Sequence, residues 1–232
     1  KKKIFLIDGM ALIYRAHYAM AYNQLTTSTG MHTSAIFGFT SFLLKILNDE
    51  KPDFLAICSD TKAPTFRHIR YDAYKANRKA MPEELQEQIP ALYNILEKSN
   101  IPLLKLDTYE ADDILGSLCK YSDDNKIPTI LITGDTDELQ LVSDSVQVML
   151  SYSKQQKKLY DWGAVEQRYS GVTPSNIPDF KALQGDVSDN IPGVPGIGAK
   201  TASKLLVEHG TLENIFSKID TIEPKRIQQS LI

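Results

Sequence analysis

"PTILITGDTDELQ", residues 128–140, starts as an apolar run and ends in carboxylates. Ile130, Leu131 and Ile132 read as a buried strand, with Asp135 at its C-terminal end and Asp137 two residues on, across Thr136. Side chains two apart on an extended chain point the same way, so these like charges repel unless something positive lies between them. "KIFLID", ending at Asp8, and "FLAICSD", ending at Asp60, repeat the arrangement. At least three strands thus deliver an aspartate at their C-terminal ends. Between them, "TSAIFGFTSFLLKILNDEK" sets Ile36, Phe39, Leu43, Ile46 and Leu47 at helical spacing, and "LQEQIPALYNILEKSN" does so with Leu85, Ile89, Leu92 and Leu96. Strands alternating with helices predict an α/β fold with a mostly parallel central sheet flanked by helices. In such sheets ligands bind beyond the carboxyl ends of the strands, where these aspartates gather.

With 232 residues, 42% of them hydrophobic, the chain can bury one sizeable core and carry a small appended module. We place an α/β core at 1–165, including a basic arch region at about 64–84, and a helical region at 166–232. A formal charge of -3 excludes a uniformly basic coat but permits segregated patches. Cys58 and Cys119, far apart in apolar stretches, form neither a disulfide framework nor a zinc ligand set, and a reducing compartment is the expected setting. No apolar run reaches membrane-spanning length, so no membrane partner is expected. The chain opens on Lys1 and stops at "RIQQSLI" within a charged, helix-like pattern, as expected of a piece of something longer.

"YEADDILGSLCKY" opens a helix with Ala111, Ile114, Leu115 and Leu118 on its core face, while Glu110 and Asp113 share another face beside Asp112. One acid in a first turn complements the helix dipole; three strain that explanation. "GDVSDN" adds Asp186 and Asp189, a pair that alone reads as a solvated turn. Nine carboxylates at element ends call for cations. Oxygen-only donors, with His17, His32, His68 and His209 sharing no ligand spacing, favour Mg²⁺ or Mn²⁺ over zinc. So many acids suggest two or more ions, the arrangement that drives in-line displacement at phosphorus.

"FRHIRYDAYKANRKAMPEEL" has the opposite charge: Arg67, Arg70, Lys75, Arg78 and Lys79 stand among Phe66, Tyr71 and Tyr74. Basic residues interleaved with aromatics can track a phosphate backbone and stack unpaired bases, although a solvated amphipathic helix has the same pattern. In "NIPGVPGIGAKTASKLL", Gly193, Gly196 and Gly198 with two prolines form a tight turn between "IPDFKALQG" and a helix that opens with Lys200, Thr201 and Lys204. This is the outline of a helix-hairpin-helix, a grip on duplex phosphates that reads no sequence.

"DGMALIYRAHYA", "APTFRHIRYDAYKANR", "YEADDILG", "TGDTDELQLV" and "ALQGDVSDNIPGVPGIGAKTA" occur in the order seen in the flap endonuclease superfamily. The chain most resembles the 5′ nuclease domains at the N-terminus of bacterial DNA polymerase I. That resemblance implies Asp8, Asp60, Glu110, Asp112, Asp113, Asp135, Asp137, Asp186 and Asp189 around the metal ions. It implies Lys75 and Arg78 on the scissile phosphate, reaching from a helical arch over the 5′ single strand, with Tyr74 packed against a base. It further implies duplex DNA on the hairpin, with a monovalent cation such as K⁺ on its carbonyls, and a monomer acting on 5′ flaps, 5′ ends or RNA primers. The setting would be the bacterial cytoplasm, in a chain shared with a polymerase. Thr136 departs from the family, which commonly has lysine there. Two rivals stand beside this reading. A haloacid-dehalogenase-like phosphatase needs an aspartate where Met10 stands. A DNA-structure-binding module that keeps its acids for the fold alone remains open at the level of sequence.

Overall fold

The computed structural model describes residues 2–22, 24–153 and 156–232. β1 (Ile4–Asp8) runs directly into α1 (Gly9–Ala19), and α2 (Ser34–Asp49) returns the chain to β2 (Phe54–Cys58). The short helices α3 (Phe66–Arg70) and α4 (Glu83–Gln86) precede α5 (Ile89–Lys98) and the two-residue β3 (Leu103–Leu104). α6 (Ala111–Asp124) leads into β4 (Thr129–Thr133), followed by β5 (Val146–Ser153), β6 (Gln156–Tyr160) and α7 (Trp162–Arg168). The remainder is α8 (Ile177–Gln184), β7 (Gly185–Asp186), β8 (Ile191–Pro192), α9 (Ala199–His209), α10 (Leu212–Ser217) and α11 (Lys225–Leu231).

The main sheet has the order β3-β2-β1-β4-β5-β6, parallel throughout except for the antiparallel β6. The chain moves outward from β1 through β2 to β3, then returns to the other side of β1 with β4. The strand order therefore reverses between β1 and β4, which opens a crevice at their C-terminal ends. The predicted strands are the three at this crevice; β3, β5 and β6 extend the sheet on either side.

Period-two alternation assigns each strand residue to a layer. Phe5 and Ile7 of β1, with Ile130 and Ile132 of β4, face the helices α1, α2 and α5 and pack on Leu12, Phe39, Leu43, Ile46, Leu92 and Leu96. Leu6 and Leu131 point the other way, into a second core with Ala111, Leu115 and Cys119 of α6. A third core joins Phe180 and Leu183 of α8 to Ile197, Leu205, Leu206, Ile215 and Ile227, and holds the C-terminal helices together. No helix of the described residues is long and apolar enough to cross a membrane.

The structure departs locally from the sequence pattern in two places. The single helix expected over Leu85–Leu96 is split in two, because Pro90 has no N–H to continue the ladder. Gln88, fully buried at the break, accepts hydrogen bonds from the N–H groups of Ala35 and Ile36 at 2.8 and 3.2 Å, tying the break to the start of α2. Between α3 and α4 the basic segment is not helical: residues 72–77 form consecutive turns rather than a continuous helical arch.

The hairpin between α8 and α9 depends on one close approach. A Cβ on Gly193 would lie 2.2 Å from the carbonyl carbon of Gln184 and 2.4 Å from the nitrogen of Gly185, both backbone atoms that cannot swing aside. Gly198 has open space around the equivalent position and extended backbone. Gly193→Ala is therefore expected to cost about 1–3 kcal/mol or more, as overpacking does, and Gly198→Ala within about 1 kcal/mol. Denaturant unfolding of the two variants checks this; equal losses would contradict it.

Candidate metal centre

Each carboxylate at the crevice is set by a backbone feature. Asp8 is the last residue of β1 and the N-cap of α1; its Oδ1 accepts from the Ala11 N–H at 3.0 Å and its Oδ2 from the Thr133 hydroxyl at 2.8 Å. The same Thr133 oxygen accepts the N–H of Asp135 at 3.0 Å, so one side chain at the end of β4 orients both aspartates. Asp135 in turn accepts the N–H of Asp137 at 2.9 Å and starts the 3-10 turn Asp137–Leu141. Asp60, two residues beyond β2, accepts the N–H of Ala111 at 2.7 Å. Glu110 caps α6, and its N–H donates to Asp113 at 2.9 Å.

These features bring Asp8, Asp60, Glu110, Asp112 and Asp135 into one cleft of about 1590 Å³, with Lys75 and Arg78 on its wall and Thr136 at its edge. That volume is larger than the ~300–1,000 Å³ usual for small ligands and suits a polymer. The remaining predicted acids stand nearby but are engaged by the chain's own cations. Asp113 is held bidentately by Arg67 at 2.7 and 2.8 Å. Lys181 bridges Asp137 at 2.6 Å and Asp186 at 2.8 Å. Arg78 meets Asp189 at 2.6 Å, and Lys75 meets Glu110 at 2.8 Å. Tyr74, expected to face a base, is only 5% exposed; its hydroxyl donates to Glu110 and Asp189 at 3.0 and 3.1 Å. Arg70 and Lys79 are exposed, as are Lys200 and Lys204 on the first turns of α9. Gly196 takes a φ of 78°, the left-handed region that favours glycine, in the turn before them.

Electrostatics show what this arrangement lacks. Burial, with Asp8 and Asp135 nearby, pushes the Asp112 carboxyl up to about 7. Burial also raises Asp8 and brings Asp137 to about 6 despite Lys181. Burial works against ionisation of Asp186 too, but there the Lys181 and Ser188 hydrogen bonds prevail and hold it below its ordinary value. Among the described residues no three His, Cys, Asp or Glu side chains are closed to metal-ligand distances. The donor set nevertheless fits a hard divalent ion. It consists of carboxylate oxygens, several of them desolvated beyond what the neighbouring cations offset, and the buried Asp137 Oδ1 has no hydrogen-bond partner besides its ion pair with Lys181.

Two residues of the site escape a reading of the sequence. Glu138 follows Asp137 as one more acid, yet the 3-10 turn directs it inward, 3% exposed, where burial and the neighbouring Asp112 raise its pKa well above the usual range. Lys181 sits in "IPDFKALQG" as an ordinary helix lysine, and only its position five residues before Asp186 hints at the bridge.

A carboxyl with a raised folded pKa binds a proton that the unfolded chain has lost, so its effect is a stability that falls as pH rises through that interval. For Asp112 and Asp137 the interval runs from the ordinary 3.8 to about 7 and about 6. Asp113 and Asp186 are shifted downward and lose their contribution only below about pH 4. The chelated protein should therefore melt at lower temperature at about pH 8 than at about pH 5, and Mg²⁺ should raise Tm more at the higher pH. Asp112→Asn should raise Tm of the chelated protein at about pH 8. A melting temperature independent of pH over that range would show that these acids are not desolvated.

Comparison with known proteins gives the family. The family model described as 5′-3′ exonuclease, N-terminal resolvase-like domain, matches residues 3–170, and that described as 5′-3′ exonuclease, C-terminal SAM fold, matches residues 172–232. The chain is 44% identical over 224 residues to DNA polymerase I of Caldicellulosiruptor bescii, covering 95% of this chain and 26% of that protein. It is 39% identical over 232 residues to DNA polymerase I of Bacillus subtilis, covering 100% of this chain and 26% of that protein. The chain thus spans about a quarter of the length of these curated relatives. Among solved structures, T5 5′-exonuclease with bound zinc superposes with a TM-score of 0.80 at 22% identity, covering 99% of this chain and 84% of that one. The catalytic core of Rad2 in complex with DNA substrate gives 0.61 at 18% identity, covering 100% of this chain and 73% of that one. At these identities the structural likeness is one of fold. With both halves matched in order over nearly its whole length, the chain belongs to the 5′-3′ exonuclease family.

Proposed function

We propose that this domain is a divalent-metal-dependent structure-specific nuclease that hydrolyses phosphodiester bonds at 5′ flaps and 5′ ends of duplex DNA. The observation that carries the reading is the cleft itself. Five carboxylates from the ends of β1, β2, β4 and α6 converge in it, facing the two arch cations Lys75 and Arg78. Asp8, Asp60, Glu110, Asp112 and Asp135 would hold one part of a metal set, and Asp137, Asp186 and Asp189 the other. Two Mg²⁺ or Mn²⁺ ions held by these residues would supply a water acidic enough to lose its proton near neutral pH and would offset charge on the reacting phosphate.

The chain's own groups do the rest. Lys75 and Arg78 give up their carboxylate partners in favour of the substrate phosphate, binding it as fixed cations rather than as proton carriers. Lys181, which bridges Asp137 and Asp186, would have to withdraw for those two carboxylates to hold a metal ion. Gly193, Gly196 and Gly198 shape a hairpin whose following helix presents unpaired first-turn N–H groups, Lys200, Thr201 and Lys204 to duplex phosphates. A K⁺ ion on the hairpin carbonyls belongs to the same proposal, as do the division at 165/166, action as a monomer and primer removal and repair in a bacterial cytoplasm beside a polymerase.

If Lys75 acts mainly on the reacting phosphate, Lys75→Ala should lower single-turnover cleavage of a 5′-flap duplex by about 10²- to 10³-fold. Its binding in Ca²⁺ should change far less, with a salt slope reduced by about one unit. Wild-type protein that binds the flap yet leaves it intact at saturating Mg²⁺ would favour a DNA-structure-binding module without chemistry. Equal losses in binding and rate would make Lys75 a general backbone contact.

A further inference from the structure

Four consecutive carbonyls, those of Val187, Ser188, Asp189 and Asn190, each accept a hydrogen bond from the arch segment 71–78. Asn77 Nδ2 donates to Val187 at 2.7 Å, Arg78 Nε to Ser188 at 3.3 Å, the Lys75 N–H to Asp189 at 3.0 Å and the Tyr71 hydroxyl to Asn190 at 3.2 Å. In the other direction Asn190 Nδ2 donates to the carbonyl of Ala73 at 2.8 Å. Val187 and Ser188 are exposed, so water could have satisfied their carbonyls; the arch does so instead.

The seam has structural consequences at both edges. Its loop side begins after Asp186 and contains Asp189, two acids of the metal set. Its arch side carries Lys75 and Arg78. Lys75 and Asn190 both adopt left-handed backbone, with φ of 55° and 58°. Asparagine tolerates that region; lysine does so at a cost, and the bond from its N–H to Asp189 holds it there. Asn77 and Asn190 are uncharged and do not line the cleft, so attraction for phosphate does not explain them.

We propose that Asn77 and Asn190 are positioning residues, docking the arch onto segment 187–190 so that the arch cations and the Asp186 and Asp189 carboxylates are set in place together. Movement of the arch would then alter the metal set directly, through the backbone that carries two of its acids. The proposal rests on the nuclease reading for its purpose.

The test uses Asn77→Ala and Asn190→Gly in the full chain. Glycine keeps the left-handed conformation without strain and removes only the side-chain bond, and Asn77 is exposed, so both variants should fold. Mn²⁺ binding is read by electron paramagnetic resonance without DNA, and duplex affinity without Mn²⁺. Each variant should weaken Mn²⁺ binding at the Asp186 and Asp189 side of the set by about 10- to 100-fold and leave duplex affinity within about twofold. Cleavage of a 5′ flap should slow in step at low Mn²⁺ and recover at high Mn²⁺. Unaltered Mn²⁺ binding in folded variants would overturn the proposal. So would duplex affinity falling as far as the rate, which would make the two asparagines DNA contacts. Because Mn²⁺ binding is read without DNA, an inactive wild type would sink the nuclease reading alone.

Discussion

Mutual repulsion among carboxylates in a shared low-dielectric crevice is the constraint around which this fold is arranged. Parallel strands flanked by helices place strand ends, helix N-termini and loops on one side of the sheet, and reversal of strand order beside β1 opens a cleft there. Aspartates at those ends are brought together by topology and would drive the structure apart if all were ionised and alone. The molecule answers in two ways. Some acids are neutralised by the chain's own cations, as Asp113 is by Arg67 and Asp137 and Asp186 are by Lys181. Others, such as Asp112 and Glu138, are pushed by burial and neighbouring acids toward the protonated form.

Both answers leave the site ready for exchange. Every internal cation on a cleft acid is a side chain long enough to move, and in the proposed function a divalent ion would replace it with more charge at shorter range. The cations released from Glu110 and Asp189, namely Lys75 and Arg78, are those best placed to meet a phosphate. In the proposed function, metal binding and substrate binding would use the same set of charges in different pairings.

Much of this was legible in the sequence because strand ends are. Apolar runs that terminate in Asp8, Asp60 and Asp135 locate the crevice before any coordinates, and helical spacing places Ala111 and Leu115 in the core and Asp112 away from it. The turn-rich hairpin was equally legible, since only glycine permits backbone as close as that of Gly193 to Gln184. What escaped depends on tertiary contact. Nothing local says that Glu138 turns inward, that Lys181 reaches the distant Asp137 as well as Asp186, or that residues 72–77 fold as turns against segment 187–190. The break between α4 and α5 was half visible in Pro90, but not the use of Gln88 to tie the break to the start of α2.

Anomalous diffraction from crystals grown with Mn²⁺ addresses the central claim most directly, because it locates the ion and the displaced cations in one measurement. Manganese should lie among Asp8, Glu110, Asp112 and Asp135, with a further site on the Asp137 and Asp186 side from which the Lys181 ammonium has withdrawn. Manganese bound only elsewhere on the surface, with Lys181 still bridging Asp137 and Asp186, would contradict it.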